Sequence, residues 1–322
     1  MSSTIVAGSV VSALAVAVAL DLTVSEPPSR FHPVAWFGSV ISAFDRPWAR
    51  PRLVGVAVAL GLPLVIAGFV GVTVAVAVGV HPVLGILTAG ISLFTVVSLR
   101  MLLDVTTEVV DRTETEPTAA RESVRALVGR DASALSPAHL RSAAVESAAE
   151  NLSDGFVAPL AGFAAGATVG LATGNGEGAL PLGAAAAVWV KVVNTLDSML
   201  GYPSKPLGWA SARLDDAVMF LPARASAVCL AAASGSIAPL RRARSWARTP
   251  ASPNSGWPMA TTAAALDVRL EKPGNYVLNP NAESPDVDDG HAAVRLVGVA
   301  GGVAVAVTAG WLLAIGGVIA WS

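Results

Sequence analysis

Charged residues are scarce in this sequence, and their scarcity limits the class of protein that it encodes. Asp, Glu, Lys and Arg together make up 14% of the 322 residues, whereas a soluble domain carries about 25%. Hydrophobic residues make up 53% of the chain, and its mean hydropathy is +0.62. This composition argues against an ordinary soluble enzyme and predicts an all-α, polytopic integral membrane protein.

Cysteine, paired histidines and net charge are lacking as well. Cys229 is the one cysteine in the chain, so no internal disulfide can form. The four histidines are scattered, and no two of them have the spacing of zinc ligands. The formal net charge is −2, which gives no reason to expect nucleic acid as a partner.

We interpret six apolar runs as membrane-spanning helices. They comprise residues 4–20, 53–80, 83–103, 156–172, 179–193 and 294–320. Only His81-Pro82 separates the second run from the third, which predicts a tight helical hairpin. No Lys or Arg precedes the first run, so we expect a retained span with its N-terminus outside and not a signal peptide. We expect residues 1–322 to form a single membrane-embedded domain.

A further apolar run, residues 217–240, carries Arg224 near its middle, beside Pro222. An Arg at the centre of a bilayer costs roughly 2.5–3.5 kcal/mol on insertion scales. Crossing would also carry the basic residues at 241–244 to the outside. We therefore predict a re-entrant or protein-buried segment that returns to the cytoplasm.

The basic residues of the loops predict the orientation of the chain. The short connections at 81–82 and 174–178 contain no Lys or Arg, whereas residues 21–52 and 104–155 contain nine. By the positive-inside rule, the longer loops are cytoplasmic.

Two expectations concern the structure of those longer loops. The prolines of residues 21–52 predict an extended, non-helical connection. We expect residues 104–141 to be helical in pieces, and Ser136-Pro137 is typical of a helix start.

The stretch at residues 145–159 places polar side chains directly before an apolar run. In a helix, Glu146 and Glu150 lie one turn apart on one face, Asn151 lies one position away, and Asp154 continues the face. Ser153 to Gly155 are typical of a helix end. Like charges at this spacing repel by a few tenths of a kcal/mol, so a cation, a metal ion or plain solvation must offset the repulsion. Solvation is the simplest explanation for this stretch alone.

Four more polar clusters fall on the same predicted side of the membrane, which makes coincidence a poor explanation. They comprise residues 191–202, 208–216 with 221–224, 252–259, and 271–279. In the first, Lys191, Asn194 and Asp197 (or Ser198) share one helix face. Ionisable residues near a bilayer are functional candidates by default.

Several of these polar segments also have an ordinary explanation, although the group of Asn254, Trp257 and Pro258 is harder to dismiss. Lys191 and Asp197 are as readily an interfacial ion pair, and Asp215-Asp216 suits a solvated helix start. The basic residues 241–248 suit a membrane-surface anchor better than a phosphate site.

The chemistry of the clusters nevertheless points in one direction. Adjacent carboxylates and Asn oxygens suit a hard cation such as Mg²⁺, and cationic side chains suit phosphate or carboxylate groups. The cations in question are Lys191, Lys205, Arg213, Arg224 and Lys272. This inventory favours phosphoryl or acyl-phosphate chemistry, although the sequence has no Walker A motif, nucleophile elbow or kinase signature.

Five ordered motifs closely resemble the CobD/CbiB family, the membrane-bound adenosylcobinamide-phosphate synthases of cobalamin biosynthesis. They are Glu146–Gly155, Lys191–Tyr202, Ala212–Asp216, Ser252–Met259 and Glu271–Asn279. The resemblance extends from about Asp21 to Asn279.

Two departures from the family pattern limit what carries over. Ser25-Glu26-Pro27 replaces the usual Gly-Asp-Pro, which weakens a metal or hydrogen-bond role there. Met219 replaces a usual Asn, so no amide role carries over to that position.

The resemblance implies ATP-dependent amide formation between a propionate of (adenosyl)cobyric acid and (R)-1-amino-2-propanol or its O-phosphate. It implies ATP and Mg²⁺ as cofactors and the corrinoid and amine as substrates. It also implies a multi-pass protein of the plasma membrane with a cytoplasmic active face, in possible contact with other enzymes of the pathway.

The resemblance further suggests roles for particular residues. Lys191, Arg213 and Lys272 would neutralise phosphates, and Asp216 would take the ammonium proton. Trp209 and Trp257 would contact the corrinoid. The expected magnesium ligands are Glu146, Glu150 and Asp154. The full set expected to bind ATP and its metal is Glu146, Glu150, Asn151, Asp154, Asn194, Asp197, Asp215, Asn254 and Trp257.

Two other functions stay open on the sequence. A non-catalytic membrane scaffold would bind corrinoid and partner enzymes without turning over ATP. A transporter would need polar residues along a path across the membrane, whereas these gather at one face.

Overall fold

A computed structural model describes residues 3–25, 33–126, 133–173 and 176–321 of the chain. Within these residues the fold is almost entirely helical, with one short β-hairpin. The first helices are α1 (Ser3–Val24), α2 (Pro33–Ser42), α3 (Pro51–Val80), α4 (Pro82–Phe94), α5 (Leu99–Thr115), α6 (Pro117–Ser123) and α7 (Pro137–Leu152). The later helices are α8 (Ala158–Ala172), α9 (Ala179–Leu200), α10 (Trp209–Val218), α11 (Phe220–Ala233), α12 (Ala238–Ala243), α13 (Gly256–Leu266) and α14 (Val287–Trp321). Strands β1 (Leu270–Lys272) and β2 (Tyr276–Leu278) pair antiparallel.

Six helices in the described part of the chain are long and apolar enough to cross a membrane. They are Thr4–Val24, Pro51–Val80, Pro82–Thr115, Pro137–Ala172, Ala179–Leu200 and Val287–Trp321. The prediction of a polytopic helical protein with about six spans is therefore confirmed. The third candidate span runs from α4 through α5, and the fourth runs from α7 through α8. Both therefore extend well beyond the apolar runs 83–103 and 156–172, into polar residues.

The region around Arg224 is bent. A helical stretch, Pro206–Val218, meets α11 at an angle of 45°. A broken span and a re-entrant loop both have this form, so the re-entrant segment stays a prediction.

Local signals located several helix ends correctly. His81 ends α3 and begins α4, and its Nδ1 accepts a hydrogen bond of 3.2 Å from the backbone N–H of Val83. Ser136 caps α7 by accepting from the N–H of His139, with Pro137 in the first helical position. The predicted hairpin and helix start are both confirmed.

Two predictions about local structure were wrong. Residues 33–42 form helix α2 within the connection expected to be extended, because Pro33 occupies the first turn, where a missing N–H costs nothing. The helix does not end at Ser153–Gly155: a π-helical turn over Ser153–Val157 leads directly into α8. Gly155 lacks the positive φ that a glycine helix end uses. Glu26 and His32 lie outside the described residues.

The chain divides into two compact units. Unit 1 comprises Met1–Ser98, Ala158–Val218 and Val305–Ser322, and unit 2 comprises Leu99–Val157 and Met219–Ala304. In unit 1, α8 packs closely against α9 because glycines recur on its contact face. A Cβ at Gly166 would lie 2.2 Å from the carbonyl oxygen of Leu182. Small residues at such spacing let membrane helices approach closely.

Candidate active site

Helix α7 runs through the interior of unit 2 although it is not an apolar helix. Arg141, Ser142, Glu146 and Ser147 are all buried, and Glu146 is only 3% exposed. Burying a charge is costly unless it is paired or hydrogen-bonded. Unit 2 must therefore supply polar partners for this helix.

Arg141 shows how one of these charges is accommodated. Its Nε donates to the carbonyl oxygen of Pro285 at 2.8 Å, and its Nη1 donates to Thr113 Oγ1 at 3.0 Å. Glu114 lies 3.6 Å from the same guanidinium. Arg141 thus joins α7 to α5 and to the segment before α14.

Glu146 joins α7 to the β-hairpin. Its Oε2 accepts a hydrogen bond of 2.6 Å from the Tyr276 hydroxyl, and its Oε1 accepts one of 2.8 Å from Ser142 Oγ. Ser142 Oγ in turn accepts from the backbone N–H of Glu271 at 2.7 Å. Both oxygens of this carboxylate therefore have protein donors.

The hairpin presents Lys272 directly across from Tyr276. These two residues are register partners on β1 and β2. Gly274 takes a φ of +73° in the turn, which favours glycine. Because Tyr276 on β2 is bonded to Glu146, this bond anchors the hairpin, and its paired strand β1 carries Lys272.

Glu150, Asn151 and Asp154 are half-buried and do not face open solvent. Asn151 Nδ2 donates to Ser147 Oγ at 2.9 Å.

The three expected magnesium ligands lie on α7 and in the turn that follows it. Among the described residues, no set of three or more His, Cys, Asp or Glu side chains is grouped so that it could hold a metal ion. The magnesium role of Glu146, Glu150 and Asp154 stays a prediction. Hydroxyl donors hold Glu146, and the π-helical turn begins just before Asp154, where it changes the angular spacing of the helix.

Asn254 and Trp257 surround an arginine of α11. Arg224 Nη1 donates to Asn254 Oδ1 at 2.6 Å, and the guanidinium lies 5.5 Å from the Trp257 ring centroid. Asn254 is buried. The sequence offered Arg224 as one of five cations for phosphate or carboxylate groups, and its position in an apolar run is the signal that marks it.

In unit 1, two other predicted clusters meet. Asn194 Nδ2 on α9 donates to Asp215 Oδ1 on α10 at 3.4 Å. Asp197 and Asp216 are close enough to repel each other electrostatically. Arg213 Nη1 lies 3.3 Å from Asp216 Oδ2. Lys191 lies on α9 and is half-buried.

A close backbone approach brings α10 back against α9. A Cβ at Gly208 would lie 1.6 Å from the carbonyl oxygen of Leu200, so only glycine allows this path. Lys205 in the same connection lies 2.6 Å from Asp45. Lys205 was considered for phosphate or carboxylate groups, and in this structure it pairs with the Asp45 carboxylate.

The five clusters therefore assemble into two groups within the units. Unit 2 holds residues 145–157, 252–259 and 271–279 together with 221–224, whereas unit 1 holds residues 191–202 and 208–216. Each group combines carboxylates, amides and cations on helices that the fold holds in place.

Comparison with known proteins agrees with the motifs. The family described as CobD/Cbib protein matches residues 14–306. This chain belongs to the CobD/CbiB family.

Relatives of this CobD/CbiB protein align over most of both chains. One from Methanothermobacter thermautotrophicus, named probable cobalamin biosynthesis protein CobD, is 37% identical over 300 residues, which cover 89% of this chain and 92% of the relative. The cobalamin biosynthesis protein CobD of Klebsiella pneumoniae is 34% identical over 323 residues, with 91% and 96% covered. No solved structure matches the chain.

Proposed function

We propose that this CobD/CbiB protein acts in cobalamin biosynthesis as an ATP-dependent amide ligase. It joins (R)-1-amino-2-propanol or its O-phosphate to a propionate of (adenosyl)cobyric acid, which gives (adenosyl)cobinamide or its phosphate. The family match over residues 14–306 carries the proposal, together with relatives that are named cobalamin biosynthesis proteins.

The reaction sets clear demands on the protein. A propionate oxygen attacks the γ-phosphorus of ATP, and ADP leaves. The amine nitrogen then attacks the acyl carbon, phosphate leaves, and the nitrogen loses a proton. The protein must bind a polyphosphate, a hard cation and a corrinoid, and it must accept that proton.

The unit 1 group suits the cation and the proton. Mg²⁺ commonly takes one or two carboxylates and completes its shell with phosphate oxygens and water. Asp197 and Asp215, with the Asn194 amide, offer such a set, and a cation would offset the repulsion between Asp197 and Asp216. When bound, Mg²⁺ would shield the phosphate charges. Asp216 is our candidate for the proton acceptor, and Lys191 and Arg213 would neutralise phosphate oxygens.

The unit 2 group suits the nucleotide and the hairpin lysine. Glu150, Asn151 and Asp154 are the half-buried candidates for contact with ATP and its metal. Lys272 would stabilise negative charge, held in position by the bond between Tyr276 and Glu146. We assign Glu146 to positioning, because both of its oxygens already accept from hydroxyls.

We further propose that the protein lies in the plasma membrane with its active face toward the cytoplasm. The two longer, basic loops support this orientation through the positive-inside rule. A cytoplasmic active face would have direct access to ATP.

The decisive test uses purified full-length protein in detergent or nanodiscs. Cobyric acid, ATP, Mg²⁺ and either amine are supplied, and cobinamide and ADP are measured. We expect Asp154→Asn and Lys191→Ala each to lower the rate by about 10²- to 10³-fold. Asp104→Asn is the matched control, since Asp104 forms an exposed ion pair with Arg100, and it should retain the wild-type rate.

Full activity in both variants would remove the residue assignments. Corrinoid binding without corrinoid-dependent ATP consumption in the wild type would instead identify a non-catalytic scaffold.

A further inference from the structure

Arg224 has a positive charge that the described residues leave uncompensated. It lies near the start of α11, in a largely apolar helix where an arginine is costly. None of the ion pairs among the described residues includes Arg224 or Arg248. Arg248 is nevertheless close enough to repel Arg224. Two like charges without an acid beside them attract an anion.

The surroundings hold the Arg224 guanidinium in one orientation. Its Nη1 donates to the carbonyl oxygen of Phe220 at 2.8 Å and to Asn254 Oδ1 at 2.6 Å, and its Nη2 lies 3.3 Å from the carbonyl oxygen of Pro253. Its carbon Cζ lies 3.7 Å from the Phe220 ring centroid and 5.5 Å from that of Trp257. All of these partners are neutral, so they orient the group without cancelling its charge.

The contacts leave part of the guanidinium for a ligand. An arginine has five N–H donors, and the three bonds above use both hydrogens of Nη1 and one of Nη2. The Nε–H and the second Nη2–H are then left within the described part of the chain. Nε and Nη2 share one edge of the guanidinium, and such an edge binds two oxygens of one phosphate or carboxylate.

We propose that Arg224 and Arg248 form a phosphate-binding site in unit 2. The oriented guanidinium of Arg224 binds two phosphate oxygens, and the exposed Arg248 supplies a second positive charge. A phosphate suits the site because its oxygens are arranged tetrahedrally, so they can face two arginines that do not share one plane. The phosphate belongs either to a soluble ligand, such as ATP or a phosphorylated amine, or to an anionic lipid headgroup. The proposal rests on the proposed function only for the identity of the soluble ligand.

The test measures binding without turnover. Full-length protein in phosphatidylcholine nanodiscs is titrated with ATP and with inorganic tripolyphosphate, without corrinoid or amine. We expect Arg248→Gln and Arg224→Gln each to weaken binding by about 10- to 100-fold. Arg224→Lys should weaken it nearly as much, because lysine keeps the charge but loses the fork. Arg241→Gln, an exposed arginine of the same basic region, should change binding by less than about twofold.

Arg248→Gln shows whether weaker binding comes from the loss of the site or from misfolding. Arg248 is exposed and forms no side-chain bond with the described residues, so its loss should not lower the melting temperature.

A second arm separates the two sources of phosphate. If a lipid occupies the site, phosphatidylglycerol in the nanodisc will raise the melting temperature of the wild type and not of Arg248→Gln, and the soluble probes will bind weakly. The site is overturned if neither the soluble probes nor phosphatidylglycerol distinguish the two arginine variants from Arg241→Gln. Phosphate binding that depends on both arginines in a protein without ligase activity would support the site and refute the proposed function.

Discussion

Tyr276 and Glu146 are 130 positions apart in the chain, and the tyrosine hydroxyl donates a 2.6 Å hydrogen bond to the glutamate carboxylate. Together with Ser142, this contact closes a polar connection between helix α7 and the β-hairpin inside unit 2. A hydrogen bond to a buried carboxylate contributes more than one between neutral groups, because its loss leaves a charge poorly solvated.

Tyr276→Phe should therefore destabilise the protein by about 1–3 kcal/mol. Thermal unfolding in detergent measures this change. The chain has only two tyrosines, which provides a matched control in Tyr202→Phe. Tyr202 is 50% exposed and should tolerate the change. Equal melting temperatures for the two variants would show that the bond to Glu146 contributes nothing.

Magnesium should stabilise the protein through the carboxylates of unit 1 and not through Glu146. At a Mg²⁺ concentration ten times the dissociation constant, we expect about 1.4 kcal/mol of added stability. Asp197→Asn should abolish the Mg²⁺-dependent rise in melting temperature, whereas Glu146→Gln should lower the baseline and keep the rise. If Asp197→Asn keeps the Mg²⁺-dependent rise and Glu146→Gln abolishes it, the metal binds at the α7 carboxylates instead.

Asn279 combines a left-handed backbone with buried hydrogen bonds. Its φ is +50° and it is 3% exposed, and its Nδ2 lies 3.3 Å from both Asp267 Oδ1 and the carbonyl oxygen of Val268. Asn279→Ala should cost about 2–3 kcal/mol, because it adds backbone strain to the lost bonds. Asn279→Gly removes the bonds alone and should cost less. The order of the two melting temperatures tests this separation.

Asp267 predicts an acid-dependent part of the stability of unit 2. Hydrogen bonds from Arg242 and then Asn279, with the positive charge of Arg242, hold the pKa of the Asp267 carboxyl below its usual value. A carboxyl whose pKa is lower in the folded protein stabilises the fold above its unfolded pKa, and this contribution disappears as the pH falls through the folded pKa. The melting temperatures of wild type and Asp267→Asn should therefore differ at pH 7 and converge in acid. High salt should reduce the difference, because the pair is exposed.

Signals within a few residues predicted most of the architecture. The apolar runs, the single residue between α3 and α4, and the cap at Ser136 depend on neighbours in the chain, so a sequence pattern records them. The five clusters were also visible as patterns of residue type. The family match confirmed the resemblance that they carried.

The remaining features of the fold and the site depend on contacts between residues far apart in the chain, which no local sequence pattern records. The partners of Glu146 come from the hairpin, and Arg141 donates to a carbonyl 144 positions away. The π-helical turn at Ser153–Val157 differs from a helix end by a small change in backbone angles, and a glycine permits either. Helical spacing places the acids of α7 on one face, but it does not record which neighbouring elements donate to each carboxylate.

Cys229 is the one thiol of the chain, and it is 6% exposed on helix α11. Cys229→Ala thus yields a protein without any thiol, into which single cysteines can be introduced at exposed positions. A membrane-impermeant maleimide applied to intact cells would then report the side of the bilayer on which each position lies. Positions 81 and 104 are suitable for labelling, because both are exposed and the charge pattern assigns residues 81–82 and 104–155 to opposite sides. An almost complete lack of cysteine thereby becomes the means of mapping how the chain crosses the membrane.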